Sequence, residues 1–143
     1  MSKKNKKIIF CVDDDLVFLK SFEIEFIKDK AFTIVTFSSG ESCLEKLSMK
    51  PDVIVLDYFL DGLDENAMNG LKTLDAIKAV DSTLPVIMLS SQDSIEVAVN
   101  CLHHNAYDYV VKSETAFIRL RKNISSILLY RKIELELKGL GEK

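Results

Sequence analysis

Three carboxylates in a row, Asp13, Asp14 and Asp15, stand directly behind the apolar run of IIFCVDDD. Adjacent like charges repel, and each disfavours ionisation of its neighbour. A fourth carboxylate, Asp57, closes a second run, VIVLD; the Ser90 hydroxyl closes a third, PVIMLS; and Lys112 follows a fourth, YDYVV. Brought to one place, such acids need a cation, and oxygen-rich sites that keep water suit Mg²⁺. The ion relieves the repulsion and can bridge a phosphoryl oxygen, with Lys112 and the Ser90 hydroxyl holding the others. One carboxylate can then act as nucleophile and form an acyl phosphate. Asp57 suits that part best, because it closes what reads as the central strand.

Convergence requires a scaffold, and the alternation of short apolar runs with helical patterns supplies one. Residues 7–12, 31–37, 53–57, 85–90 and 107–111 read as strands, several nearly continuous in Val, Ile, Leu and Phe. Runs of that kind belong to strands covered on both faces. Between them, Leu16, Leu19, Phe22, Phe26 and Ile27 recur at helical spacing. Ser39 and Ser42 open a second helix, Leu71, Leu74 and Ile77 continue a third after Gly70, and a fourth starts near Asp93 or Ser94 and stops at Asn105. A last helix is expected from near Ser113. Five βα units in series predict an α/β fold: a doubly wound, five-stranded parallel sheet with five helices and right-handed crossovers. Ligands of such folds bind outside the carboxyl ends of the strands, where Asp13, Asp14, Asp57, Ser90 and Lys112 all fall.

Composition narrows the classes further. The 143 residues suit one domain, with 48% hydrophobic and 29% charged residues and a net charge of −3. That balance argues against direct nucleic-acid binding, and the basic run KKNKK reads as a solvated tail. Cys11, Cys43 and Cys101 are widely spaced, without a CxxC pair, which predicts reduced core thiols in a cytoplasmic protein. No apolar run is long enough for a membrane span, so no membrane partner is expected.

The motifs VDDD, VIVLD, NG before the third helix, VIMLSS and YVVKS, in that order, resemble the receiver domain of two-component response regulators. The resemblance implies a flavodoxin-like sheet of order 2-1-3-4-5 and three segments: a basic tail 1–6, a receiver domain 7–128, and an extension of the last helix with a C-terminal tail, 129–143. It implies a phospho-accepting signalling switch rather than an enzyme, with incidental self-phosphorylation and self-dephosphorylation. Its partner would be a sensor histidine kinase or a phosphotransfer protein. Asp57 would be the phosphoacceptor, with Asp13, Asp14, Asp57 and the Phe59 backbone carbonyl as Mg²⁺ ligands. Ser90 and Lys112 would contact the phosphoryl group, and Ser90 and Tyr109 would form the switch. Asp15 matches a variable position and is expected to cap the first helix.

The sequence departs from the family pattern in three places. Ser113 follows the lysine where the family usually has proline. Leu60-Asp61 replaces the usual apolar-Pro pair. Residues 58–69 then form a long loop with extra acids Asp61, Asp64 and Glu65, expected to be solvated. Two other readings share parts of the pattern. An FMN-binding flavodoxin-like protein would want a phosphate-cradling loop after strand one, where this chain has DDDL. A metal-dependent phosphohydrolase with an Asp nucleophile would want DxDxT there. His103 and His104 are adjacent on a helix, point apart and are not expected to share a ligand.

The last helix carries two stripes. Phe117, Leu120, Ile124, Ile127 and Leu128 suit the sheet; Leu129, Ile133, Leu137 and Leu140 form a second, rotated stripe beyond it. The second stripe predicts a helix partner, most simply a homodimer.

Overall fold

A computed structural model describes residues 6–62 and 66–139. The elements are β1 (Lys7–Val12), α1 (Leu16–Phe26), β2 (Phe32–Phe37), α2 (Gly40–Leu44), a 3₁₀ turn (Leu47–Met49), β3 (Val53–Asp57), α3 (Gly70–Val80), β4 (Val86–Ser90), α4 (Ile95–His103), β5 (Asp108–Val111) and α5 (Ala116–Leu137). All strands are parallel and lie in the order β2-β1-β3-β4-β5. This is the predicted α/β, flavodoxin-like sheet. β2, β4 and β5 each begin one residue later than their apolar runs suggest.

Strand periodicity divides the core into two layers. Ile9, Cys11, Val53, Val55, Ile87, Leu89 and Val110 face α1 and α5, against Phe22, Phe26, Leu120 and Ile124. Phe10, Val12, Ile54, Leu56, Val86, Met88 and Tyr109 face the other way, against Leu74, Ile77 and Cys101. The strands lack apolar–polar alternation because both of their faces are covered.

The starts of α1 to α4 each have a sequence cause. Asp15 Oδ1 accepts the backbone N–H groups of Val17 and Phe18 at 3.0 and 3.3 Å, so the third acid of the run is the helix cap. Ser39, Asn69 and Ser94 cap α2, α3 and α4 in the same way. Asn105, at φ 72°, takes the left-handed turn that ends the fourth helical segment.

Two sequence expectations about the helices are corrected, the apolar stripe of the first and the start of the last. Leu16 and Ile27, placed on the apolar stripe of the first helix, are 68% and 60% exposed, because they sit at the helix ends beyond the phenylalanine ridge. The second helix is only five residues long and passes through a 3₁₀ turn to Lys50 at φ 57°. The last helix begins at Ala116 rather than near Ser113. All three cysteines are buried and free, and burial pushes the thiols of Cys43 and Cys101 up to about 12 and about 11. Among the described residues, no helix is long and apolar enough to cross a membrane.

Candidate functional site

The carboxyl ends of β1, β3 and β5 deliver Asp13, Asp57 and Lys112 to one pocket. By strand parity all three lie on the α1/α5 side, continuing Ile9–Cys11, Val53–Val55 and Val110. The backbone N–H of Asp13 bonds the Phe37 carbonyl at 3.0 Å, extending the β1–β2 ladder by one residue. Asp13 Oδ1 accepts the Asp15 N–H at 2.9 Å, which turns the chain into α1. Asp14 then projects half-buried beside Gly62 of the β3–α3 loop.

Asp13 and Asp57 are both buried, and carboxylate oxygens of Asp13, Asp14 and Asp57 lie within 4.8 Å of one another. The Lys112 ammonium sits 2.7 Å from Asp13 Oδ2 and 3.7 Å from Asp57 Oδ1. Asp13 Oδ2 is nevertheless fully buried without an aligned hydrogen bond from the described residues. Burial, and then the Asp13 charge, push Asp57 up to about 7, with Lys112 and the Phe59 N–H pulling the other way. Burial of Lys112 favours its neutral form, but Asp13 and then Asp57 outweigh this and raise it. One ammonium among three carboxylates leaves the pocket electronegative, with oxygen donors only. Such a pocket suits a hard divalent cation and repels a bare phosphate.

Phe59, Gly62 and Ser91 complete the pocket wall. The Phe59 ring packs edge-on against Tyr58 at 4.9 Å between centroids and is 37% exposed. Ser90 is placed differently from the other strand-end groups. It continues Val86 and Met88 toward the α2–α4 side, is buried, and accepts the Gln92 N–H at 3.0 Å. Tyr109, on the same side, donates its hydroxyl to the Gln92 carbonyl at 2.6 Å. One residue, Gln92, therefore touches both expected switch groups through its backbone.

The long loop is anchored at both ends. Leu60 is buried in the α2–α4 core layer, and the Met68 N–H donates to Glu41 of α2 at 2.9 Å. Asp61 is half-buried, while Asp64 and Glu65 lie outside the described residues. Sequence reasoning passed over Glu41, Ser91 and Phe18, whose ring lies 4.7 Å from the Lys112 ammonium. His104 Nδ1 pairs with Asp75 Oδ1 at 2.8 Å across α3 and α4, whereas His103 is exposed, so the two histidines do point apart.

Comparison with known proteins agrees with the fold. The family model described as response regulator receiver domain matches residues 9–125. The chain belongs to that family. As a receiver domain of two-component signalling, it is 34% identical over 117 residues to a protein-glutamate methylesterase/protein-glutamine glutaminase of Clostridium acetobutylicum, covering 78% of this chain and 32% of that protein. It is 32% identical over 111 residues to the DNA-binding transcriptional regulator NtrC of Escherichia coli, covering 73% of this chain and 21% of that one. The receiver thus spans at most about a third of these curated relatives. Among solved structures, the signal receiver domain of a putative LuxO repressor protein from Vibrio parahaemolyticus superposes with a TM-score of 0.79 at 25% identity. That match covers 92% of this chain and 97% of the other.

Proposed function

We propose that this receiver is a phospho-accepting signalling switch. It would take a phosphoryl group onto Asp57 from a histidine kinase or a phosphotransfer protein and answer with a changed binding surface. The observation that carries the reading is a buried Asp57 held within reach of two further carboxylates and one lysine. An Asp57 oxygen attacks phosphorus in line with the leaving group. The P–N bond of a phosphohistidine breaks as the acyl phosphate forms, and the imidazole leaves with the electron pair. Lys112, 3.7 Å from Asp57, would contact the arriving oxygens.

Asp13, Asp14, Asp57 and the Phe59 carbonyl would hold Mg²⁺, and the incompletely bonded Asp13 Oδ2 fits such a ligand set. When bound, the ion neutralises the acids and the charge of the phosphoryl oxygens. Ser90 and Tyr109 are proposed as the switch, supported by their shared partner Gln92. A phosphoryl group that draws the Ser90 hydroxyl away loosens the loop carbonyl that holds Tyr109. The second stripe of α5 is proposed to pair with the same stripe of a second copy.

The test is intact mass after incubation with acetyl phosphate and Mg²⁺. Wild type should gain one phosphoryl group and Asp57→Asn none; equal labelling of the mutant would falsify the assignment. The Phe59 ring at the pocket rim shields the site without a hydrogen bond to orient water, so the phosphoryl form should be long-lived. Phe59→Asn should shorten its lifetime severalfold in the same assay. Unchanged or slower decay contradicts the shielding role.

A further inference from the structure

We propose that Phe18 is a positioning residue for Lys112: its ring face holds the ammonium over the phosphoacceptor pocket. The inference rests on the phospho-accepting reading and adds a residue to it. The Lys112 ammonium lies 4.7 Å from the centroid of the Phe18 ring, on a side chain only 20% exposed. Its two charged neighbours are unequal, Asp13 at 2.7 Å and Asp57 at 3.7 Å. Both are acceptors, and they hold the ammonium by taking up its N–H groups. The negative face of an aromatic ring attracts a cation without competing as an acceptor for its protons. It therefore restrains the ammonium while leaving its N–H groups available to an incoming oxyanion.

The ring is itself fixed. The Phe18 N–H is part of the Asp15 cap at 3.3 Å, and the ring packs on Phe117 at 5.7 Å. A contrast lies two turns along α1, where Arg121 stands 4.6 Å over Phe26 but also pairs with Glu25 at 3.0 Å. That cation only ties α5 to α1. Lys112 is the cation of this aromatic cluster that faces the pocket.

The experiment combines spectroscopy with a double-mutant cycle. In the NMR spectrum of the whole chain, the Lys112 ε-methylene protons should be ring-shifted upfield. The shift should persist in Phe18→Tyr and vanish in Phe18→Leu. Labelling by acetyl phosphate should slow roughly 3- to 10-fold in Phe18→Leu, the range expected for a partly desolvated cation–ring contact. Phe18→Tyr should stay near wild type. In a Lys112→Met background, Phe18→Leu should cost nothing further, whereas a merely structural role predicts the same loss in both backgrounds. A fluorinated phenylalanine placed at position 18 keeps the shape and weakens the ring face, and it should slow labelling as leucine does even if Phe18→Leu folds poorly. Ordinary Lys112 shifts in wild type, or additive losses in the cycle, overturn the proposal. A wild type that shows the ring shift but never labels refutes the phospho-accepting reading and leaves the contact standing.

Discussion

Gly70→Ala is expected to destabilise the domain by roughly 2–3 kcal/mol, as overpacking at an unyielding site does, and to slow phosphorylation far more than its stability loss explains. Gly70 opens α3 directly behind Asp57, and its N–H bonds the Tyr58 carbonyl at 3.1 Å. A Cβ there would collide with the Asp57 carbonyl oxygen and come within 2.7 Å of the Tyr58 Cα and carbonyl oxygen. The three nearest atoms are all backbone, so no side-chain rotation relieves the clash with them. Either α3 backs away or the end of β3 shifts, and a shift moves Asp57 itself. Displacing reacting groups by ~1 Å can cost on the order of 10²-fold in rate. Gly40→Ala is the informative contrast, because its Cβ would strike the Thr73 side chain. Gly40→Ala/Thr73→Ala should recover much of that loss, whereas no side-chain truncation should recover Gly70→Ala. Urea midpoints and acetyl phosphate labelling of the variants decide it. A Gly70→Ala protein with wild-type midpoint and wild-type rate removes the close approach as the reason for glycine in Asn69-Gly70.

The scaffold and most of the site were legible because strands announce themselves by apolar runs, and the polar residues that end those runs must share an edge. Asp13, Asp57 and Lys112 meet for that reason alone. The placement of Ser90 was partly readable too: counting by twos from Val86 and Met88 puts it across the sheet from Asp57, with Tyr109. Asp15 was separable from Asp13 and Asp14, since a carboxylate immediately before a helix caps it. Phe18 lies outside the stripe Leu16, Leu19, Phe22, Phe26 and Ile27 that helical spacing picked out, and only the three-dimensional position of Lys112 marks its ring as one that meets a cation. Glu41 was hidden for a related reason, as its partner Met68 is 27 residues away on a loop without periodicity. The exposure of Leu16 and Ile27 escaped because helical spacing marks a face but not where the sheet beneath it ends.

Wild-type protein should sediment as a dimer at high concentration, and Ile133→Glu/Leu137→Glu should remain a 16.2 kDa monomer. α5 is 22 residues long, ~33 Å at 1.5 Å per residue. Typical strands reach only about 17–20 Å, so the helix overshoots the sheet it packs on. Its burial follows suit. Ala116, Leu120, Ile124 and Ile127 are buried, with Phe117 and Leu128 packed against the same layer. Past them, Leu129, Ile133 and Leu137 are 59%, 43% and 83% exposed. Leu140, which the sequence adds to this stripe, lies outside the described residues. Arg131 stands 3.7 Å from Asp52, just before β3, where the helix passes the foot of the sheet. An exposed apolar stripe on a helix is a surface that a two-fold axis can bury against itself. Placing carboxylates at positions 133 and 137 removes apolar contact and puts unpaired charge into that seam, and burying such groups without partners costs a few kcal/mol, or roughly 10²-fold in affinity. Glutamate is a good helix former, so the circular dichroism of the double variant should match wild type and separate lost pairing from lost helix. A wild type that stays monomeric at the highest accessible concentration rules out self-pairing through α5, whatever the variant does.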